Sequence, residues 1–346
     1  MLKAKTLTTG HKQRGKVVLP LLVGLAAVGA GLYAWASQPQ GYTRVDYVKQ
    51  AEQEALKRPL FQAPGDEEMA KHPDADLIKY GKELVANTSM YLGPQGKVAR
   101  ITNGMNCQNC HLAAGTKPWG NNYGGVAANY PKYRDRSGTV EDIPKRVNDC
   151  IQRSLNGTAL DRDSREMKAF EAYIKFVGEK VPKNETQNGV GIWKVAYLDR
   201  AADPKAGKVL FQQKCMTCHG AEGQGVPKPD GSGYVYPPLW GEHSYNSGAG
   251  IYRLSRMAGY IKANMPFGVN FDKPQLTDEQ AWDLAAFINS MARPGKDLSQ
   301  DWPNIAAKPV DHPFGPYADT FSEEQHKYGP FKPIIAYRKE HFQPTK

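Results

Sequence analysis

Cys107-Gln108-Asn109-Cys110-His111 and Cys215-Met216-Thr217-Cys218-His219 are two copies of one pattern, C-x-x-C-H, in a chain of 346 residues. The spacing lets two thiols add across the two vinyl groups of a single haem, and the next residue, a histidine, then reaches the iron from the proximal side. Zinc, a redox C-x-x-C pair or disulfides are the other uses of such cysteines. None of them explains a histidine directly after each pair. Two covalently bound haem c groups are therefore expected, held by Cys107, Cys110 and His111 and by Cys215, Cys218 and His219.

Each motif sits between helical signals. Before the first runs D-L-I-K-Y-G-K-E-L-V-A (76–86). After it comes S-R-E-M-K-A-F-E-A-Y-I-K-F-V, with Ser164 as cap and Met167, Phe170, Tyr173, Ile174 and Val177 on one stripe. Asp203-Pro204 opens a helix before the second motif. Beyond it, Thr277 and Gln280 form a capping box ahead of Ala281, Leu284, Ala285, Ile288 and Met291. A haem motif framed by two helices, repeated once, resembles tandem class I cytochrome c domains. The expected fold is all-α: cytochrome c domains over 75–182 and 201–295, joined by a linker over 183–200. A helical extension precedes them over 42–74, and an irregular, proline-rich tail over 296–346 wraps around them.

Composition is globular, 40% hydrophobic and 23% charged, with a formal net charge of +10. Five cations, Lys3, Lys5, Lys12, Arg14 and Lys16, precede an uncharged apolar run from Val17 to Ala36 and supply half of that excess. No basic run with interleaved aromatics exists, which excludes nucleic acid as a partner. The 20-residue run is long enough to span a bilayer, and its basic flank holds the N-terminus inside. Residues 1–41 thus read as a basic flank with a membrane anchor. The alternative is a signal peptide cleaved after Ala34-Trp35-Ala36. Either way the expected location is periplasmic, tethered to the inner membrane through residues 17–36 if the segment is uncleaved.

Each iron needs a sixth ligand. In A-N-M-P-F-G, Met265 lies 46 residues past His219, in a loop stiffened by proline. Met257 reads as helix packing. The loop Y-P-P-L-W-G (236–241) resembles one whose carbonyl orients a proximal histidine. The first domain has no Met-Pro loop. It has Cys150, 39 residues past His111, in T-V-E-D-I-P-K-R-V-N-D-C-I-Q-R-S-L-N-G. With Thr139 as cap and Gly157 as terminator, this stretch forms one helix on which Arg146, Cys150 and Ser154 share a face. Cys150 as a small buried hydrophobe is the bland alternative. An arginine one turn away argues for the thiolate ligand instead. A thiolate donates to ferric iron and is also a nucleophile, and the neighbouring guanidinium suits a sulfur oxyanion.

At these residues the chain resembles the thiosulfate dehydrogenase family of dihaem cytochromes c, across roughly residues 75–335. The motifs that carry the likeness are both C-x-x-C-H runs, Arg134-Asp135-Arg136, R-V-N-D-C-I-Q-R-S-L-N-G and N-M-P. The resemblance implies coupling of two thiosulfates into tetrathionate with release of two electrons, or the reverse, and a soluble or membrane redox partner such as a cytochrome c. It implies His111 and Cys150 as ligands of the catalytic haem, and His219 and Met265 as ligands of the electron-transfer haem. Arg136, Arg146 and Ser154 would hold the substrate, with Arg134 as the alternative to Arg136. Some members carry a competing lysine before the methionine; here that position is Asn264. The competing readings are a membrane-tethered dihaem electron carrier without substrate chemistry, and the Cys-ligated cytochrome of the sulfur-oxidising multienzyme system.

Overall fold

The computed structural model describes residues 54 and 56–342. The apolar run 17–36 and most of the extension's expected helix lie outside them. Among the described residues no helix is long and apolar enough to cross a membrane. Those residues belong to one compact unit that holds both haem motifs and the tail.

The first cytochrome half is built on α2 (Ala75–Ala86) crossing α4 (Arg165–Val177), with the short α1 (Asp66–Lys71) ahead of them. α4 begins where Ser164 Oγ accepts the Met167 amide at 3.1 Å. Its stripe of Met167, Phe170, Tyr173, Ile174 and Val177 is buried. The second half repeats the plan: α5 (Pro204–Lys214) crosses α7 (Asp278–Ser290), and α6 (Leu254–Asn264) packs beside α7. Thr277 and Gln280 close the capping box. Both crossings are made at a glycine. A Cβ on Gly81 of α2 would stand 2.1 Å from the Ala169 carbonyl oxygen, and one on Gly207 of α5 would stand 1.9 Å from that of Asp283. The backbones touch because no side chain separates them.

The cysteine-bearing helix differs from expectation at both ends. α3 spans Ile143–Arg153. Its cap is Asp142, whose carboxylate accepts the Lys145 amide at 2.9 Å, and not Thr139. Thr139–Glu141 instead forms a strand, β2, paired antiparallel with β1 (Lys132–Arg134). β-branched Thr139 and Val140 suit that ribbon, and an aspartate directly before Ile143-Pro144 is the stronger cap. The helix stops before Gly157, with Ser154 at its C-cap. A second small ribbon, β3 (Val226–Pro227) with β4 (Tyr234–Tyr236), follows the other haem motif. The fold is mostly helical, with these two ribbons added.

The tail is not irregular throughout. α8 (Glu323–Tyr328) starts at Ser322, whose Oγ accepts the Gln325 amide at 3.2 Å, and α9 (Phe331–His341) starts directly after Pro330. Prolines that break a helix interior are tolerated in its first turn, and both Pro330 and Pro333 lie at such a start. Phe331 and Ile334 are buried, and the Phe331 ring lies 5.7 Å from that of Trp282 on α7. The linker is pinned between the halves, with Trp193 edge-on to Trp119 at 5.1 Å and stacked on Phe271 at 6.0 Å.

Two outcomes test this packing. Gly207→Ala is expected to lower unfolding free energy by about 1–3 kcal/mol in denaturant titration, because overpacking at the crossing outweighs the gain in helix propensity. Burial, then the Lys308 charge, pushes the His312 imidazole down to about 4. It stays neutral in the fold while the unfolded chain takes up a proton below its ordinary value. The associated stability is complete above pH 6.5 and is lost as the pH falls toward 4. His312→Gln is expected to reduce the acid loss by on the order of 2–3 kcal/mol, read from denaturation at pH 7 and pH 4.

Candidate active site and haem-binding residues

All five cysteines are partly buried, and none is paired with another in a disulfide. The motif backbone turns tightly: the His111 amide donates to the Cys107 carbonyl at 2.9 Å, and the His219 amide to the Cys215 carbonyl at 2.9 Å. Each turn brings two thiols and an imidazole to one side. Burial pushes the Cys107 and Cys110 thiols up to about 12 and Cys215 up to about 11.

Both histidines are fixed through Nδ1. His219 Nδ1 donates to the Pro237 carbonyl at 2.9 Å, within the Y-P-P-L-W-G loop expected to orient it. His111 Nδ1 donates to the Asn121 carbonyl at 2.5 Å. A carbonyl only accepts, so Nδ1 carries the proton and Nε2 keeps its lone pair for iron. No motif points to Asn121, since no proline pair marks it. Its φ of +58° is the one signal, a conformation asparagine tolerates better than most residues. Tyr123, two residues on, stacks on His111 at 4.6 Å.

An apolar cavity of about 160 Å³ lies against the first motif, walled by Cys107, Cys110, His111, Arg146, Cys150 and Ser154 among others. The three residues expected on one helix face do share it. Cys150 lies within hydrogen-bonding reach of His111. The donors fit a haem: two motif thiols, a Nδ1-tethered imidazole and the Cys150 thiol all line one mainly apolar cavity. That iron-bearing group would be held by Cys107, Cys110, His111 and Cys150. In the second half Cys215, Cys218 and His219 are partly buried, and Met265 caps α6, half-buried against the core. Met257 is buried on α6. Asn264 is buried and donates to the Trp119 carbonyl at 3.1 Å.

Burial alone would push the Cys150 thiol up. The Arg146 guanidinium first, then the neighbouring His111 ring and the Arg136 charge, reverse this and bring the thiol below its ordinary value. In return the Cys150 charge holds Arg146 above its ordinary value, against desolvation. Arg136 is not in the cavity wall. Its Nη2 donates to Asp149 Oδ2 at 2.7 Å, and Lys145 Nζ reaches Asp149 Oδ1 at 2.5 Å. Arg134 lies on β1, with Nε 3.9 Å from Glu141. Of the two, it is Arg136 whose charge acts on Cys150. Asp149, the counter-ion beside the cysteine, carries no signal in the sequence that marks it out.

Two family models match the chain: the SoxA/TsdA cytochrome c domain over residues 97–182, and cytochrome c over 204–292. A thiosulfate dehydrogenase of Stutzerimonas stutzeri (strain A1501) is 34% identical over 277 residues, 79% of this chain and 86% of that protein. One from Allochromatium vinosum is 38% identical over 198 residues, 56% and 72% of the two chains. Among solved structures, thiosulfate dehydrogenase (TsdBA) from Marichromatium purpuratum in its "as isolated" form superposes with a TM-score of 0.62 at 30% identity. That match covers 68% of this chain and half of the longer one.

The attachment sites separate cleanly in a haem assay. The reduced pyridine adduct should report about two covalent haems per chain in the wild type and about one in a Cys215→Ser, Cys218→Ser double variant, since each C-x-x-C-H run binds one haem.

Proposed function

We propose, from the premise that the chain belongs to the thiosulfate dehydrogenase family, that it joins two thiosulfates into tetrathionate with Cys150 as the reacting sulfur. As a member it is a dihaem c-type cytochrome that oxidises thiosulfate. The finer reading rests on one observation: the Cys150 thiol, the Arg146 guanidinium and the His111 ring line one cavity against the first C-x-x-C-H motif.

The chemistry balances on that sulfur. The Cys150 thiolate and the outer sulfur of one thiosulfate form a sulfur–sulfur bond, giving a cysteine S-thiosulfonate and two electrons. The outer sulfur of a second thiosulfate attacks that bond, tetrathionate forms, and the thiolate leaves as it entered. Bound haem supplies a one-electron sink at each of the two centres. The chain's own groups do the rest. Arg146 keeps Cys150 anionic and, with Arg136, draws the dianionic substrate inward. Ser154 offers a hydroxyl at the cavity wall. The Asn121 carbonyl holds the His111 proton on Nδ1. The apolar wall keeps water from the S-thiosulfonate.

His111 and Cys150 on the first iron, and His219 and Met265 on the second, complete the reading. The chain acts in the periplasm, tethered through residues 17–36, and delivers electrons to a cytochrome c or similar acceptor. Direct reversal of the same steps would reduce tetrathionate.

Cys150→Gly is the test, with thiosulfate as substrate and ferricyanide as acceptor. Turnover is expected to fall by more than about 100-fold, as for loss of a covalent nucleophile, while both haems remain. Near-normal turnover with two haems retained would reject the reading.

A further inference from the structure

The residues around Cys150 are held by a piece of chain far from either haem motif. Asp301 forms a two-pronged ion pair with Arg153, Nη1 to Oδ2 and Nη2 to Oδ1, both at 2.7 Å. Both side chains are nearly buried, 12% and 10% exposed. Arg153 is the last residue of α3, three positions beyond Cys150. The next tail residue, Trp302, donates its amide to the Arg136 carbonyl at 2.7 Å. The next, Pro303, packs on Gly138 in the turn between β1 and β2. A Cβ there would meet Pro303 Cγ at 2.5 Å, and the φ of +66° already favours glycine. Three consecutive residues thus grip the end of the cysteine helix, the backbone of Arg136 and the turn that carries it. All three lie outside the residues matched by either family model, 97–182 and 204–292.

The charge count gives the grip a purpose. Arg136, Arg146 and Arg153 crowd together, and each of the other two works against the charge on Arg136. Asp149 and Asp301 oppose them. With Asp149 paired to Arg136 and Asp301 to Arg153, Arg146 is left facing Cys150. Bidentate pairing fixes the guanidinium plane as well as its position.

We infer that Asp301-Trp302-Pro303 is a positioning clamp for the substrate site: it sets the Arg136 hairpin against α3, so that the Arg136–Asp149 pair stays fixed behind Arg146, the guanidinium in the cavity wall that thiosulfate meets. The inference rests on the thiosulfate reading above. None of the three residues touches the reacting sulfur.

Asp301→Asn keeps the side-chain size and removes the charge, and Asp301→Glu restores it. The full-length holoprotein is measured in two ways. In hydrogen–deuterium exchange, Asp301→Asn is expected to speed exchange across residues 132–141, and Asp301→Glu to reverse most of that. In steady-state assays with thiosulfate and ferricyanide, Asp301→Asn is expected to raise KM about tenfold with kcat within about threefold, the pattern of a misplaced binding group, and Asp301→Glu to recover it. If Asp301→Asn does not accumulate, Pro303→Ala, which loosens only the contact with Gly138, is expected to show the same two changes at about a third of the size in KM. Unchanged exchange in the hairpin overturns the clamp. Faster exchange with unchanged KM overturns its role in substrate binding. A wild type that does not oxidise thiosulfate overturns the substrate reading alone, and the exchange data still decide whether the clamp exists.

Discussion

One partly buried pair in a cavity wall, the Cys150 thiol and the Arg146 guanidinium, organises the first half of this molecule. A thiol taken out of water resists ionisation, yet Cys150 is brought down to about 7 because a guanidinium stands one helical turn before it. Neither group is stable in that place alone. An arginine in an apolar wall needs an anion, and a buried thiolate needs a cation. Everything nearby serves to keep the two together. Asp149 and Asp301 absorb the other arginines, Asp142 caps the helix that sets their spacing, and the ribbon delivers Arg136 from outside the helix.

The second half shows what the same frame does without that pair. Its crossing helices meet at a glycine, as in the first half, and its histidine is tethered to a carbonyl in the same way. Its helix before the sixth-ligand candidate carries its charges on other pairs, Arg253 with Asp311 and Lys262 with Asp278, and brings no cysteine. The element before its sixth-ligand candidate is α6, which ends at Met265. A neutral thioether asks for no counter-ion, and the buried face of the helix leading to it includes Met257, Ala258, Ile261 and Ala263. One scaffold therefore accommodates two different settings for its haem motif, with a cysteine-bearing helix in one half and a methionine-ended helix in the other.

Local signals are legible in the sequence, and signals spread along the chain are not. The framing helices, the caps at Ser164 and Thr277, and the common face of Arg146, Cys150 and Ser154 depend on residues within about two turns of one another. Thr139 reads wrongly as a cap because a threonine before a helical stretch looks the same whether or not a strand forms there. Only its pairing with Arg134 distinguishes the cases. The tail helices are hidden by prolines, which mark a break or a beginning depending on the residues after them. Asn121, Asp149 and Asp301 act through partners brought close only by folding. Asp301 lies 148 residues from Arg153, and no periodicity links them.

The contacts that join the two halves have an unequal construction. Tyr260 donates to the Asn109 carbonyl at 2.8 Å, Asn264 to that of Trp119 at 3.1 Å and Asn246 to that of Gln152 at 2.8 Å. In the other direction Asn103 donates to the Ser244 carbonyl at 3.0 Å, and Lys117 to that of Val269 at 3.1 Å. In each case a side chain of one half reads the main chain of the other, and Asn246 adds a bond to the Asn156 side chain at 2.9 Å. A main-chain carbonyl is present whatever residue carries it. Substitutions at Asn109, Gln152, Ser244 or Val269 leave the acceptor in place, so the two halves are free to diverge in sequence without losing register. The seam is a mechanical coupling that tolerates change at its acceptor residues, because the atom it grips belongs to the main chain.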